Sequence, residues 1–279
     1  MKKRNVYFLT EQKINTLLEL HQTGRYVEAE KLSLSITKNF PKHQLAWKVL
    51  ALALKQNGKI SESLIAIQKS VQLEPRDSNA HYNLGVILQE LRRLDEAEVC
   101  FRQTIKLKPD YTEAHNNLGF ILQELRRLDE AEVCFRQTIK LKPDYAEAHN
   151  NLGVTLKELG RFEESEACYR KAISLKPNYV EAHRNLAITL VDMGRLEEAM
   201  SNYTKVIELK PHLPQSLQDL AGLLTSYMPH EGFSNLVVKV NEEIKKNYLK
   251  EKTIGIISDD KIIKLFNQST SVIKKYNLK

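Results

Sequence analysis

Prolines at 41, 75, 109, 143, 177 and 211 follow one another at a constant spacing of 34 residues. Inside that frame the stretch ILQELRRLDEAEVCFRQTIKLKPDY at 87–111 returns without a change at 121–145. A fixed period in this range marks a chain built from stacked supersecondary units. A unit this small cannot bury its apolar face alone, so neighbours do it for each other, and identical units can share identical interfaces. A catalytic pocket, whose residues do different jobs from different places, has no use for such a copy. Ending each unit two residues after its proline gives six repeats: 10–43, 44–77, 78–111, 112–145, 146–179 and 180–213. A basic segment, 1–9, precedes them. The remainder, 214–279, reads as further helices at about 216–227, 234–248 and 258–276, which would cap the array or begin another domain.

Each repeat reads as two helices. In 146–179, His149, Leu152, Gly153 and Leu156 fall at i, i+3, i+4 and i+7, which is one helical face. Gly160 is a helix stop suited to left-handed backbone, Phe162 opens the second helix, and Pro177 ends it because it has no N–H to continue it. Small residues recur where two helices must approach: Ala51, Gly85, Gly119, Gly153 and Ala187 at the eighth position, and Ala29, Ser63, Ala97, Ala131, Ser165 and Ala199 at the twentieth. No segment sustains strand alternation, so the predicted fold class is all-α.

The net charge of +7 raises the question of nucleic acid, and its distribution answers against it. Residues 1–77 carry +6 and 231–279 carry +4, while 78–213 carry −2. No basic stripe follows the repeats, so nucleic acid is not an expected partner. No apolar run reaches the roughly 20 residues of a membrane span, and three cysteines do not make a disulfide framework. A cytoplasmic location with no membrane partner is expected. None of G-x-x-x-x-G-K-[ST], G-x-G-x-x-G, H-E-x-x-H or G-x-S-x-G is present, so neither an enzyme nor a cofactor is expected. The recurring acids, such as Asp95, Glu96 and Glu98, read as solvated charge.

The spacing of Leu84, Gly85, Leu88, Ala97, Phe101 and Pro109 resembles the tetratricopeptide repeat, and the resemblance runs over 10–213. It implies a right-handed α-solenoid of helix-turn-helix repeats. It also implies a non-catalytic scaffold that binds a peptide or protein segment in the concave groove lined by the first helices. The array is similar, too, to the repeat arm of the O-linked N-acetylglucosamine transferases. This leaves a second reading open: a substrate-recruiting arm of a multidomain enzyme, for example a glycosyltransferase, whose catalytic domain lies outside this chain. Two places depart from the pattern. The first repeat has Leu17 at the small position and Ser33 at the aromatic one. Arg92 and Arg126 stand where the inter-helix turn usually has glycine; either they adopt left-handed backbone at a cost of about 1 kcal/mol, or the turn is wound differently there.

Repeats 78–111 and 112–145 differ at four places: Ser78/Thr112, Asn79/Glu113, Tyr82/Asn116 and Val86/Phe120. In the family, positions 2, 5, 6, 9, 12 and 13 line the groove, so three of the four changes fall on its wall. Either only solvent-facing positions were free to drift after a duplication, or the wall was retuned for a ligand. Position 6 is Asn83, Asn117, Asn151 and Asn185 in consecutive repeats, with Val49 breaking the row. Asparagine is a mediocre helix former, and an amide offers the donor and acceptor that an extended peptide backbone needs. The row is similar to the asparagine ladder of the transferase arm, though it is equally read as a habit of the repeat. The candidate peptide-binding residues are therefore Asn83, Asn117, Asn151 and Asn185, with Tyr82, Asn116, Asn150, Arg184, Val86 and Phe120 on the wall. The His81, His115, His149 and His183 column is too widely spaced for one metal ion, since packed helices lie roughly 8–10 Å apart. It reads as packing, as does Cys100, Cys134 and Cys168. Lys48 occupies one place of the family's carboxylate clamp, but Leu52 stands beside it and Arg184 is isolated, so a chaperone C-terminus is not an expected ligand.

Overall fold

The computed structural model describes residues 9–210, and among them twelve helices and no strand occur. The fold is an all-α repeat solenoid. It divides into two bodies, the first ending at Pro143 and the second beginning at Asp144. The first holds α1 (Glu11–Gln22), α2 (Tyr26–Asn39), α3 (Gln44–Gln56), α4 (Ile60–Leu73), α5 (Ser78–Glu90), α6 (Leu94–Leu107), α7 (Thr112–Glu124) and α8 (Leu128–Leu141). The second holds α9 (Ala146–Glu158), α10 (Phe162–Leu175), α11 (Val180–Asp192) and α12 (Leu196–Leu209). Within each body every helix packs on the next in sequence. The helices and capping role expected for 214–279 lie outside the described residues.

The turn inside each repeat is one device repeated. The N–H of Arg92 donates to the carbonyl of Gln89 at 3.0 Å and that of Arg93 to the carbonyl of Leu88 at 2.9 Å. This paired closure of a helix C-terminus needs a left-handed residue just past the cap. Gly58 and Gly160 supply it with φ of 76° and 77°. Arg92 and Arg126 take the same conformation, at φ 58° and 61°. The turn is thus wound alike in all four, and the alternative of a different winding is set aside: the two hydrogen bonds fix the geometry, and the arginines absorb the strain.

Close approach of the two helices explains the small eighth position. A Cβ on Gly85 would lie 2.7 Å from the Phe101 ring, one on Gly119 2.8 Å from Phe135, and one on Gly153 2.6 Å from Tyr169. Where serine occupies the twentieth position its hydroxyl also bonds across: Ser63 Oγ donates to the Ala51 carbonyl and Ser165 Oγ to that of Gly153, both at 2.7 Å. The first repeat inverts the sizes. Leu17 and Ser33 are both completely buried, large for small and small for aromatic, and the Ser33 hydroxyl has no hydrogen-bond partner.

The fourth position staples the turn between repeats. The ring nitrogen Trp47 Nε1 donates to the Pro41 carbonyl at 2.9 Å. Nε2 of His81, His115 and His183 meets the carbonyls of Pro75, Pro109 and Pro177 at 3.0, 2.9 and 3.0 Å. Since a carbonyl only accepts, the imidazole donates there. Histidine and tryptophan share this position because each projects a ring N–H to the same place.

Glu98 is not solvated charge. Its carboxylate accepts from Arg102 Nε and from Arg127 Nη1, each at 2.8 Å, while Glu130 accepts from both arginines in turn. The four side chains close a ring that ties α6 to α8. Glu166, Arg170, Arg195 and Glu198 close the same ring between α10 and α12. A single repeat does not reveal this, because the second arginine of Glu98 arrives from the following repeat. Glu98 and Glu166 are only 13% exposed while their arginines stay in contact with water, so each pair contributes about 1 kcal/mol or less.

Candidate functional site

The candidate residues lie on the first helices of the repeats. In the first body, Tyr82 and Asn83 stand on α5, and Asn116, Asn117 and Phe120 on α7. Tyr82 stacks on Tyr111 with ring centroids 4.9 Å apart and leans against Phe101 at 5.8 Å. Burial first, then the neighbouring Tyr82, Glu113 and Asp77, push the Tyr111 hydroxyl up to about 12, so it stays neutral in ordinary buffers. Asn117 Nδ2 donates to the Tyr82 hydroxyl oxygen at 3.2 Å, and Asn117 Oδ1 accepts from Asn116 Nδ2 at 3.5 Å. Asn83 is half-buried and has no hydrogen-bond partner among the described residues.

The second body repeats the motif with different letters. Asn185 Nδ2 donates to Asn150 Oδ1 at 3.1 Å, and Asn150 Nδ2 donates to Asn151 Oδ1 at 3.4 Å. Position 6 of one repeat therefore bonds to position 5 of the repeat before it, as Asn117 does to Tyr82. Asn116 and Asn150 are not solvent-facing wall residues: they are 8% and 6% exposed. The short amide at position 5 is buried, where Tyr82 at the same position is half-buried. Arg184 is half-buried on α11.

The distances of 3.1 to 3.5 Å lie at the long end for N–H···O contacts. Such bonds are weak. Val49 explains why the asparagine row stops. It is buried with Leu17, Leu20 and Ile36, where an amide would be stranded. Lys48 is also occupied: Nζ lies 2.7 Å from Asp77 Oδ2, with Gln44 on the same oxygen. The only lysine at the clamp position is thus neutralised internally.

Position 9 was underread from sequence. Leu52, Val86 and Phe120 in the first body, and Val154 and Ile188 in the second, are all half-buried. Within each body they stand one helical turn beyond position 6 of the same helices. The signal lies in the sequence, because position 9 is apolar in every repeat from Leu18 onward.

Among the described residues no three His, Cys, Asp or Glu side chains gather as a metal site. Cys100 and Cys134 are buried thiols, pushed up to about 11 by that burial, and are not thiolates at neutral pH. No described helix is long and apolar enough to cross a membrane.

A family model described as tetratricopeptide repeat matches 78–111, 112–145 and 146–179, and a second model of the same description matches 168–200. No curated protein matches the chain. Solved structures share the fold at low identity. MamA 41-end from Desulfovibrio magneticus RS-1 superposes with a TM-score of 0.58 at 22% identity, covering 61% of this chain and 97% of that one. PilF from Pseudomonas aeruginosa gives 0.61 at 19%, covering 74% and 91%. YrrB, described as a TPR protein with an unusual peptide-binding site, gives 0.57 at 18%, covering 67% and 96%. At these identities the likeness speaks for the fold.

Proposed function

The chain is a tetratricopeptide-repeat protein, and from that premise we propose that it binds an extended peptide segment along the first helices of its repeats, as a scaffold without catalysis of its own. The observation that carries this reading is the pairing of two columns within one body. Leu52, Val86 and Phe120 offer half-buried apolar surface, and Asn83 and Asn117 offer amides beside it. An extended peptide points successive side chains to opposite faces and leaves its backbone N–H and C=O groups free between them, so the apolar column takes side chains of one face and the amides take backbone groups. YrrB, described with a peptide-binding site, supports the same use of the fold.

The amides contribute a net ~0.5–1.5 kcal/mol each, so no single one dominates. Tyr82 against Asn116, and Val86 against Phe120, set which side chains are accepted at neighbouring repeats. The test is selection from a displayed random-peptide library on the full chain, followed by fluorescence anisotropy. Phe120→Asp, and separately Asn83→Ala with Asn117→Ala, weaken the selected peptide about 10-fold or more, which is roughly 1.4 kcal/mol. Circular dichroism confirms that each variant folds. Folded variants that bind as tightly as the parent overturn the proposal.

A further inference from the structure

Three successive second helices of the first body each hold one branched apolar side chain out in water. Ile65 on α4, Val99 on α6 and Val133 on α8 are 67%, 67% and 68% exposed. They occupy the same place in consecutive repeats. Single exposed apolar residues are ordinary, but three in register on adjacent helices form a row. Duplication alone does not account for it, since α4 (ISESLIAIQKSVQL) differs at most places from α6 (LDEAEVCFRQTIKL). The row has ends: the equivalent place is Lys31 in the first repeat and Ala167 in the fifth.

The charges beside the row sort by edge. Asp95 precedes Val99 by four residues and Lys106 follows it by seven, all on one face of α6. Asp129 and Lys140 stand the same way about Val133 on α8. All four are exposed, and none has an ion-pair partner among the described residues. Their neighbours Glu98, Arg102, Arg127 and Glu130 neutralise one another in the ring described above. The unpaired charge on this face is therefore acidic along the edge toward the helix N-termini and basic along the other.

We propose that this row is a self-association surface, on which a second copy of the chain docks about a twofold axis. An apolar midline with an acidic and a basic edge complements itself under one operation. Rotation about an axis running along the row sets Asp95 and Asp129 of one copy opposite Lys106 and Lys140 of the other. Rotation about an axis along the helices sets acid against acid. A twofold contact uses the same patch on both copies, so the edges select the first arrangement. With the axis midway between Asp95 and Lys106, the two Val99 side chains lie about 4.5 Å apart along the helix direction, from three residues at a rise of 1.5 Å. That is within reach of apolar contact. The row alone falls well short of the ~800 Å² per partner of a standard interface. The edge charges must contribute, and the dimer is weak, with a Kd of roughly 10–100 μM.

Sedimentation equilibrium of the full chain, from about 5 to 500 μM, tests this. The expected result is a reversible monomer–dimer equilibrium. Val99→Glu with Val133→Glu weakens it at least tenfold, and Asp95→Lys with Asp129→Lys does the same. Adding Lys106→Asp and Lys140→Asp to the second variant restores association, which a merely unfolded protein would not do. A chain monomeric throughout the range overturns the proposal. So does a dimer indifferent to Val99→Glu with Val133→Glu, or a fourfold charge swap that fails to restore it.

Discussion

Arg92 sits where its backbone should not be, and replacing it with glycine should stabilise the protein. At φ 58° an L-residue pays about 1–2 kcal/mol of steric strain, which glycine escapes. Glycine returns about 0.5–1 kcal/mol of that through its greater freedom in the unfolded chain. Arg92 also meets Glu124 at 2.9 Å, but the two side chains are 69% and 34% exposed. Such a surface pair is worth a few tenths of a kcal/mol, screened by salt. The net for Arg92→Gly is a gain of about 0.5 kcal/mol.

The reciprocal change provides the control. A Cβ on Gly58, at φ 76°, would meet nothing within 4 Å, so Gly58→Ala introduces backbone strain and nothing else. It should cost about 1 kcal/mol. Equilibrium urea unfolding by circular dichroism compares the two with the parent, and Trp47, the single tryptophan, reports the repeat that holds Gly58. A drop in stability for Arg92→Gly beyond the worth of its ion pair, together with a neutral Gly58→Ala, would refute the account of the turn.

Gly119→Ala forces a methyl to within 2.8 Å of the Phe135 ring; overpacking of this kind should cost about 1–3 kcal/mol, and a differential scan showing no loss would mean that the helix pair has slack. Asp77 is half of a largely buried pair with Lys48. Burial pushes its carboxyl up, but Lys48, Gln44 and the Ala80 N–H outweigh burial and hold it below the usual range. A depressed carboxylate adds stability above its unfolded value near ~3.9 and loses it as pH falls through the folded one. Asp77→Asn, which still caps α5, should therefore cost about 2 kcal/mol at pH 7, and its deficit should shrink in melts taken progressively below pH ~4; a constant deficit would sink the assignment. His115→Phe keeps the ring but removes the donor to the Pro109 carbonyl, and should lower stability by about 0.5–1.5 kcal/mol. His115→Trp should lose less, because Trp47 makes the same bond, and equal losses in denaturant titrations would show that the bond carries nothing.

What could be read from the letters differs from what could not by the distance of the partner. The proline period, the small eighth position and the glycine turns are legible because each states its own requirement: a missing N–H, a missing Cβ, a positive φ. Arg92 and Arg126 obey the same turn without the letter that announces it, since the demand comes from two backbone hydrogen bonds and not from the residue itself. The ring around Glu98 was illegible for another reason. Its two cross-repeat pairs, Arg102 with Glu130 and Arg127 with Glu98, span 28 and 29 residues, and an isolated repeat gives no cause to form them. The asparagines fall between these cases. Their type and spacing were plain, yet the contact an amide makes depends on position 5 of the preceding repeat. The duplicated stretch makes this visible, because 87–111 and 121–145 are identical and cannot themselves cause any difference. Tyr82 is half-buried, stacks on Tyr111 and meets the amide of Asn117, whereas Asn116, at the same place one repeat later, is buried. One substitution thus exchanges a half-buried hydroxyl that meets the next repeat's amide for a buried amide at position 5. Whatever selectivity these otherwise identical repeats have must reside in the few side chains at which they differ.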